Sequence, residues 1–421
     1  MPALFPETAT VAEGELAVGG LGAAELAERF GTPLVVYCEG TVLAAARAYR
    51  AAAPDALLLY SLKAFPNLAI LRLLAAEGFG ADVSTLGELE FARRAGIPGE
   101  LIVVHGNNKS DEELRAAAEA GVRFVVLDAL DEGERASEAG VRRVLVRVTP
   151  GIEADTHEAI RTAHHGSKFG LPPEQALEAI ASARAGGLDV EGVHLHIGSQ
   201  LLDPQAGLET VDWLGEFVAR CRTELGWEPR VVDLGGGLGI PYVAGDDPPA
   251  VGDFVSTLLR RLETAWAGNA PPEVILEPGR SVVGRAALTL YRVGVVKRAS
   301  DEVTYVAVDG GMSDNPRPQL YGAQYTALLA NRASEEPSGT YDVCGKHCES
   351  GDVLIEGARL PEPRRGDLLA VPGTGAYTLS MGSNYNAVPR PAAVLVADGE
   401  ARLIRRRETV DELLGHEEAS S

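Results

Sequence analysis

Four cysteines, Cys38, Cys221, Cys344 and Cys348, are too few and too scattered in 421 residues to form a disulfide framework, so any interest they hold is chemical. Positive charge is scarce as well: 38 lysines and arginines face 60 aspartates and glutamates, a net charge of −22. No basic stripe is visible, which argues against a nucleic-acid groove or an anionic-membrane surface. Apolar segments of membrane-spanning length are missing, and residues 1–7 lack a basic region leading into an apolar core. The expected location is the cytoplasm. Low-complexity linkers are absent, and 46% hydrophobic with 23% charged residues is the composition of a folded protein large enough for more than one core.

What is present is an alternation of strand and helix. Short apolar runs at 57–62, 79–84, 101–105, 124–127, 144–148, 190–196, 231–234 and 274–276 are separated by Ala-, Leu- and Glu-rich segments of helical period. Eight such units fit an α/β class (β/α)8 TIM barrel over 36–286 better than an open doubly wound sheet. Beyond it, short runs of period two with frequent turns predict a sandwich-like antiparallel β domain over 287–421. The segment 1–35, with a short strand near 15–18 and one amphipathic helix, is too small to fold alone and is expected to join it.

A barrel of this kind gathers its chemistry where strands end and loops begin. Lys63, Asp82, Asn107-Asn108, His196, Gly235-Gly236-Gly237 and Glu277-Pro278-Gly279-Arg280 all fall at such ends. Lys63 held against apolar walls would lose hydration and become a nucleophile able to form a Schiff base, although a lysine snorkelling from the rim fits the same residues. The glycines after Val231-Val232-Asp233-Leu234 let backbone N–H groups converge on an anion such as phosphate. They match neither a dinucleotide fingerprint nor a P-loop, and a tight corner is an equal alternative. His194 and His196 share one face of a strand; no third and fourth ligand is in register, so no metal is expected, and one ring can lie flat on an aromatic cofactor. Glu277 can hold a proton on a ring nitrogen and Arg280 can bind phosphate or carboxylate, unless the two simply pair. In Cys344-Gly345-Lys346-His347-Cys348-Glu349 the single Cys-x3-Cys makes a poor zinc site; Cys344 reads as inert, while a thiol near cations can exchange protons around neutral pH.

Taken in order, Tyr60-Ser61-Leu62-Lys63-Ala64, Gly80-Ala81-Asp82-Val83-Ser84, His105-Gly106-Asn107-Asn108-Lys109, Lys168-Phe169-Gly170 and the stretches 194–200, 233–239, 277–280, 309–312, 317–321, 348–352, 375–377 and 383–386 resemble one family across nearly the whole chain. They are similar to the alanine-racemase-like, fold-type III decarboxylases that use pyridoxal 5′-phosphate (PLP), nearest to those acting on meso-2,6-diaminopimelate. The resemblance implies that Lys63 carries PLP, Asp82 orients that region, His196 stacks on the ring, and Glu277 keeps the ring nitrogen protonated. It places Ser199, Gly235, Gly236, Gly237, Gly279 and Arg280 around the phosphate, with Tyr377 touching both phosphate and substrate. It implies a distal-carboxylate clamp of Arg280, Arg317 and Tyr321, and a homodimer in which Cys348, the proton donor, and Glu349, partner of the distal ammonium, reach a neighbour's site. The implied activity is decarboxylation of diaminopimelate to L-lysine and CO2. Relatives using ornithine or arginine share the cofactor residues but need no arginine clamp; a racemase is disfavoured by Glu277, and a silent regulatory homologue by the presence of Lys63 and Cys348.

Overall fold

Runs of three to six mostly Val, Leu and Ile residues, buried on both faces, make strands that must be covered by helices. They form β1 (Leu57–Ser61), β2 (Gly80–Val83), β3 (Ile102–Val104), β4 (Phe124–Leu127), β5 (Arg143–Arg147), β6 (Asp189–His194), β7 (Val231–Asp233) and β8 (Glu273–Leu276). All pair in parallel, in sequence order, and β8 closes on β1 through Ile275 beside Leu57. The inner faces meet in a packed core of Leu59, Val103, Phe124, Val126, Leu145, Val231 and Ile275, so the barrel is filled and its chemistry is confined to the mouth. The computed structural model describes residues 4–150, 167–196, 198–266 and 270–418; Ile197 of the 194–200 motif lies outside the described residues.

Helix starts follow local side-chain chemistry. Asn67 accepts from the amides of Ala69 and Ile70 ahead of helix Leu68–Ala76, and Thr85 caps Leu86–Ala95. Ser110 and Glu113 form a reciprocal capping box on Asp111–Glu119. Each cap sits a few residues past a barrel strand and so fixes the loop between them. The barrel belongs to a compact unit of residues 45–239 and 247–281.

A second compact unit comprises residues 1–44, 240–246 and 282–421. Its nine-stranded sheet is mixed rather than antiparallel throughout. Leu34–Cys38 runs parallel to Ala392–Ala397, and Thr304–Val308 runs parallel to Gly339–Cys344. The amino-terminal strand expected to join this sheet, Glu15–Val18, instead pairs with Thr10–Ala12 and Leu21–Gly22 in a small sheet of its own. It belongs to the unit by packing, since Leu16 and Val18 share a core with Val36, Leu288 and Val394. The amino-terminal strand that does enter the large sheet is Leu34–Cys38, which pairs antiparallel with Ala287–Arg298.

Candidate active site

β1 ends at Ser61, and the 3-10 turn Leu62–Ala64 presents Lys63 between two buried apolar neighbours. Its Nζ lies 3.2 Å from Asp82 Oδ2, and the side chain is 46% exposed. The expected apolar walls are therefore not what surrounds it: one step beyond the strand the side chain reaches the open mouth, where its charged partner is a carboxylate. Asp82 is itself buried. Ser61 Oγ donates to the same Oδ2 at 2.5 Å, while Oδ1 has no hydrogen-bond partner among the described residues. Gly279 lets the loop after β8 pass close to this turn, since a Cβ there would stand 3.1 Å from Ala64 Cβ and Ser61 Cβ.

Behind the lysine lies a buried floor of titratable groups. Glu277, just past β8, is 2.6 Å from His105 Nε2 through Oε1 and 3.5 Å from His194 Nε2 through Oε2. Asp233 Oδ1 accepts the Gly235 N–H at 2.8 Å. Burial raises the Glu277 carboxyl, but His105 and His194 outweigh it and hold the group well below the usual carboxylate range. Asp233 is pushed well above that range, by burial first and by the Glu277 charge second. His194 is lowered to about 3 because burial outweighs its contact with Glu277, and His196 is lowered by burial and by the cations Lys63 and Arg147. The floor at neutral pH thus holds an ionised Glu277 carboxylate, an Asp233 carboxyl that gives up its proton less readily than usual, and neutral imidazoles at 194 and 196.

His105, His194, Asp233 and Glu277 each offer a ligand atom within 4.8 Å of the others, so the third and fourth partners missing from the sequence pattern are present in space. Two ligands sharing a zinc at about 2.0–2.1 Å stand roughly 3.3 Å apart in a tetrahedral set. The 2.6 Å between His105 and Glu277 is a hydrogen-bond distance instead. The set reads as a proton-holding network. His105 and Asp233 escaped the sequence reading as chemistry, although both sit at strand ends, the signal that marked the others.

The depressed His194 has a stability consequence. Between its ordinary 6.5 and about 3, the unfolded chain binds a proton there that the folded chain does not, so stability present above 6.5 is lost as pH falls. Denaturant midpoints measured from pH 7.5 down to 5 are expected to decline, with a shallower decline in His194→Gln; identical slopes would remove His194 as a cause.

A glycine-rich corner adjoins this floor. Gly235 and Gly237 adopt φ of 64° and 111°, and a Cβ on Gly236 would stand 2.4 Å from the Glu277 carbonyl oxygen. The glycines are thus required by close backbone approach as well as by a corner. Arg280 Nη2 donates to Ser199 Oγ at 2.7 Å, and a bridge between Leu201 and Leu238 holds the two loops together. Asn107 and Asn108 are exposed on their loop. Their neighbour Lys109 is buried, donating to the carbonyls of Gly106 and Val126 and pairing with Glu132 at 3.0 Å.

The remaining predicted site residues lie in the second unit. Arg317, on the short helix Arg317–Tyr321, is 4% exposed, with its guanidinium 4.4 Å from the Tyr242 ring centroid and Nη1 donating to Tyr325 Oη at 2.5 Å. No carboxylate pairs with it among the described residues. Tyr321 Oη contacts Met381 Sδ at 3.9 Å. Cys348 is exposed, its N–H donating to Asn386 Oδ1, while buried Asp352 accepts the amides of Met312 and His347 and so fixes the loop around the thiol. Glu349 is exposed. Tyr377 holds φ at 59°, a left-handed conformation that non-glycine residues rarely adopt outside functional or tightly constrained sites.

The family model for the pyridoxal-binding domain of pyridoxal-dependent decarboxylases matches residues 39–284. This chain belongs to that family. As a pyridoxal-dependent decarboxylase it is 45% identical over 98% of its length to a diaminopimelate decarboxylase of Actinosynnema pretiosum subsp. auranticum, of which 95% is covered. It is 41% identical to the diaminopimelate decarboxylase of Bacillus subtilis strain 168, over 95% of this chain and 94% of that one. Among solved structures, the diaminopimelate decarboxylase of M. jannaschii in complex with L-lysine superposes with a TM-score of 0.93 at 35% identity, covering 99% of both chains. The lysine/ornithine decarboxylase of Vibrio vulnificus complexed with putrescine superposes with a TM-score of 0.76 at 25% identity, covering 89% of this chain and 97% of that one. Among the described residues no helix is long and apolar enough to cross a membrane.

The decarboxylase's cofactor is PLP, and the barrel mouth suits it on its own chemistry. An ionised buried carboxylate matches a protonated ring nitrogen, glycine backbone with Ser199 and Arg280 matches a phosphate, and an exposed primary amine matches an aldehyde. The open acceptor at Asp82 Oδ1 suits a group bound beside Lys63.

Proposed function

We propose that this decarboxylase converts meso-2,6-diaminopimelate to L-lysine and CO2, the last step of lysine biosynthesis by the diaminopimelate route. The observation that carries the substrate choice is Arg317, a buried guanidinium with no acid beside it among the described residues. A buried charge without a counter-ion is unfavourable, and a bidentate carboxylate is the ligand that best relieves it. Simple diamino acids such as ornithine have no distal carboxylate to offer.

PLP, when bound, supplies a sink for the electron pair that the departing carboxylate leaves behind. Lys63 holds the cofactor through Nζ, with Asp82 fixing the direction of that amine. Glu277, kept ionised by its two histidines, would hold a proton on the ring nitrogen, and the neutral imidazole of His196 would stack on the ring. Ser199, Gly235, Gly236, Gly237, Gly279 and Arg280 bind the phosphate with Tyr377. Arg317, Tyr321 and Arg280 receive the distal carboxylate, and Tyr377 also touches the substrate. Cys348 and Glu349 of the partner subunit complete the site in a cytoplasmic homodimer, the thiol returning a proton to carbon and the carboxylate pairing the distal ammonium.

The deciding experiment is CO2 release and product identity with meso-diaminopimelate on PLP-loaded enzyme. L-lysine with stoichiometric CO2 is expected; turnover of ornithine or arginine with diaminopimelate untouched would overturn the substrate. Glu277→Gln is expected to lower kcat about 10²-fold with little change in KM, because an amide cannot stabilise the protonated ring nitrogen as a carboxylate does. A kcat within twofold of wild type would remove Glu277 from that role. Subunit exchange between Lys63→Ala and Cys348→Ala proteins tests the shared site: random mixing leaves about one quarter of sites intact. Activity near that fraction is expected, and none at all would place both residues in one chain's site.

A further inference from the structure

In the second unit, Arg390, Arg405, Arg406, His416, Glu408 and Glu412 line a cavity of about 400 Å³. Its three guanidiniums face two carboxylates, and the pairing is uneven. Glu412 is taken by Arg406, whose Nη1 donates to Oε2 at 2.6 Å, and by the amide of Thr409. That leaves Glu408 for both other arginines, and its Oε2 already accepts from Asn384 Nδ2 at 2.7 Å and from the Arg390 N–H at 3.0 Å. Its Oε1 is 3.8 Å from Arg390 Nε and 3.6 Å from Arg405 Nη2, beyond hydrogen-bond reach.

Neither guanidinium makes a side-chain hydrogen bond among the described residues, and Arg390 Nε is buried without a partner. The two side chains are only 35% and 32% exposed, so water does not fully screen their mutual repulsion. Arg405 holds its proton less firmly than usual, through burial first and through Arg390 second. Two guanidinium forks with spare N–H donors on one concave wall are a receptor for an oxyanion, which each can engage in bidentate fashion.

We propose that this cavity binds a small oxyanion, a phosphate or carboxylate group, between Arg390 and Arg405. Calorimetric titration of PLP-loaded enzyme, in which the cofactor fills its own phosphate site, tests this with inorganic phosphate in one arm and glutarate in the other. Saturable binding at one site per chain is expected in at least one arm, and the responding arm identifies the ligand class. Arg405→Gln should weaken that binding about tenfold or more. Glu408→Gln should tighten it about threefold by removing the competing negative charge, a gain that a misfolded variant could not show. No saturable heat in either arm, or affinities that fail to move in opposite directions in the two variants, would overturn the proposal.

Discussion

Lys63→Ala is expected to lower kcat/KM by at least about 10³-fold and to abolish the absorption band of covalently held PLP, while leaving the fold intact. The side chain is half exposed and reaches the open mouth, where it pairs with Asp82, so its removal takes little from the core. The lysine on the next strand-end loop but one cannot substitute for it. Lys109, on the loop after β3, is buried and committed to two carbonyl oxygens and Glu132. Spectrophotometric titration with PLP beside a CO2-release assay reads both effects, and circular dichroism checks the fold. Retention of a tenth of wild-type activity would mean that the amine has been wrongly placed at the centre of the chemistry.

Arg317→Met is expected to lower the preference for diaminopimelate over L-lysine, expressed as the ratio of their kcat/KM values, by about 10²-fold or more. The loss falls on the substrate that has a distal carboxylate, because only that group can use the guanidinium. Methionine keeps apolar contact with the faces of Tyr242 and Tyr325 and removes a buried charge that has no acid beside it. Thermal stability without substrate should therefore be unchanged or higher. A structural role would show the reverse: a lower melting temperature with the substrate ratio preserved.

How much of this was legible in the chain depends on how each residue is buried. The barrel strands stood out because helices cover them and most of their positions are apolar. In the second unit Gly339–Cys344 is hard to read from sequence, since only Val343 of that strand is buried and the pattern is too weak to separate from a loop. The two parallel pairings of the sheet depend on strands far apart in sequence, which no local pattern encodes. The site shows the same division. Lys63, Asp82, His196 and Glu277 were marked by their positions at strand ends. His105 and Asp233 shared that position, yet their importance lies in contacts such as the one joining His105 to Glu277, 172 residues away.

The chain leaves the second unit after Ala44, returns for residues 240–246 and comes back for good at Val282. Strand Leu34–Cys38 finds its sheet neighbours only in Ala287–Arg298 and Ala392–Ala397. On a ribosome it therefore emerges with both edges open and waits until the whole barrel has been made, tens of seconds at roughly 5–20 residues per second. During that interval an apolar five-residue strand has nothing to pair with except another nascent chain. Early translation is thus a stage of exposed apolar edge for this strand, at which a chaperone holding the nascent chain would help.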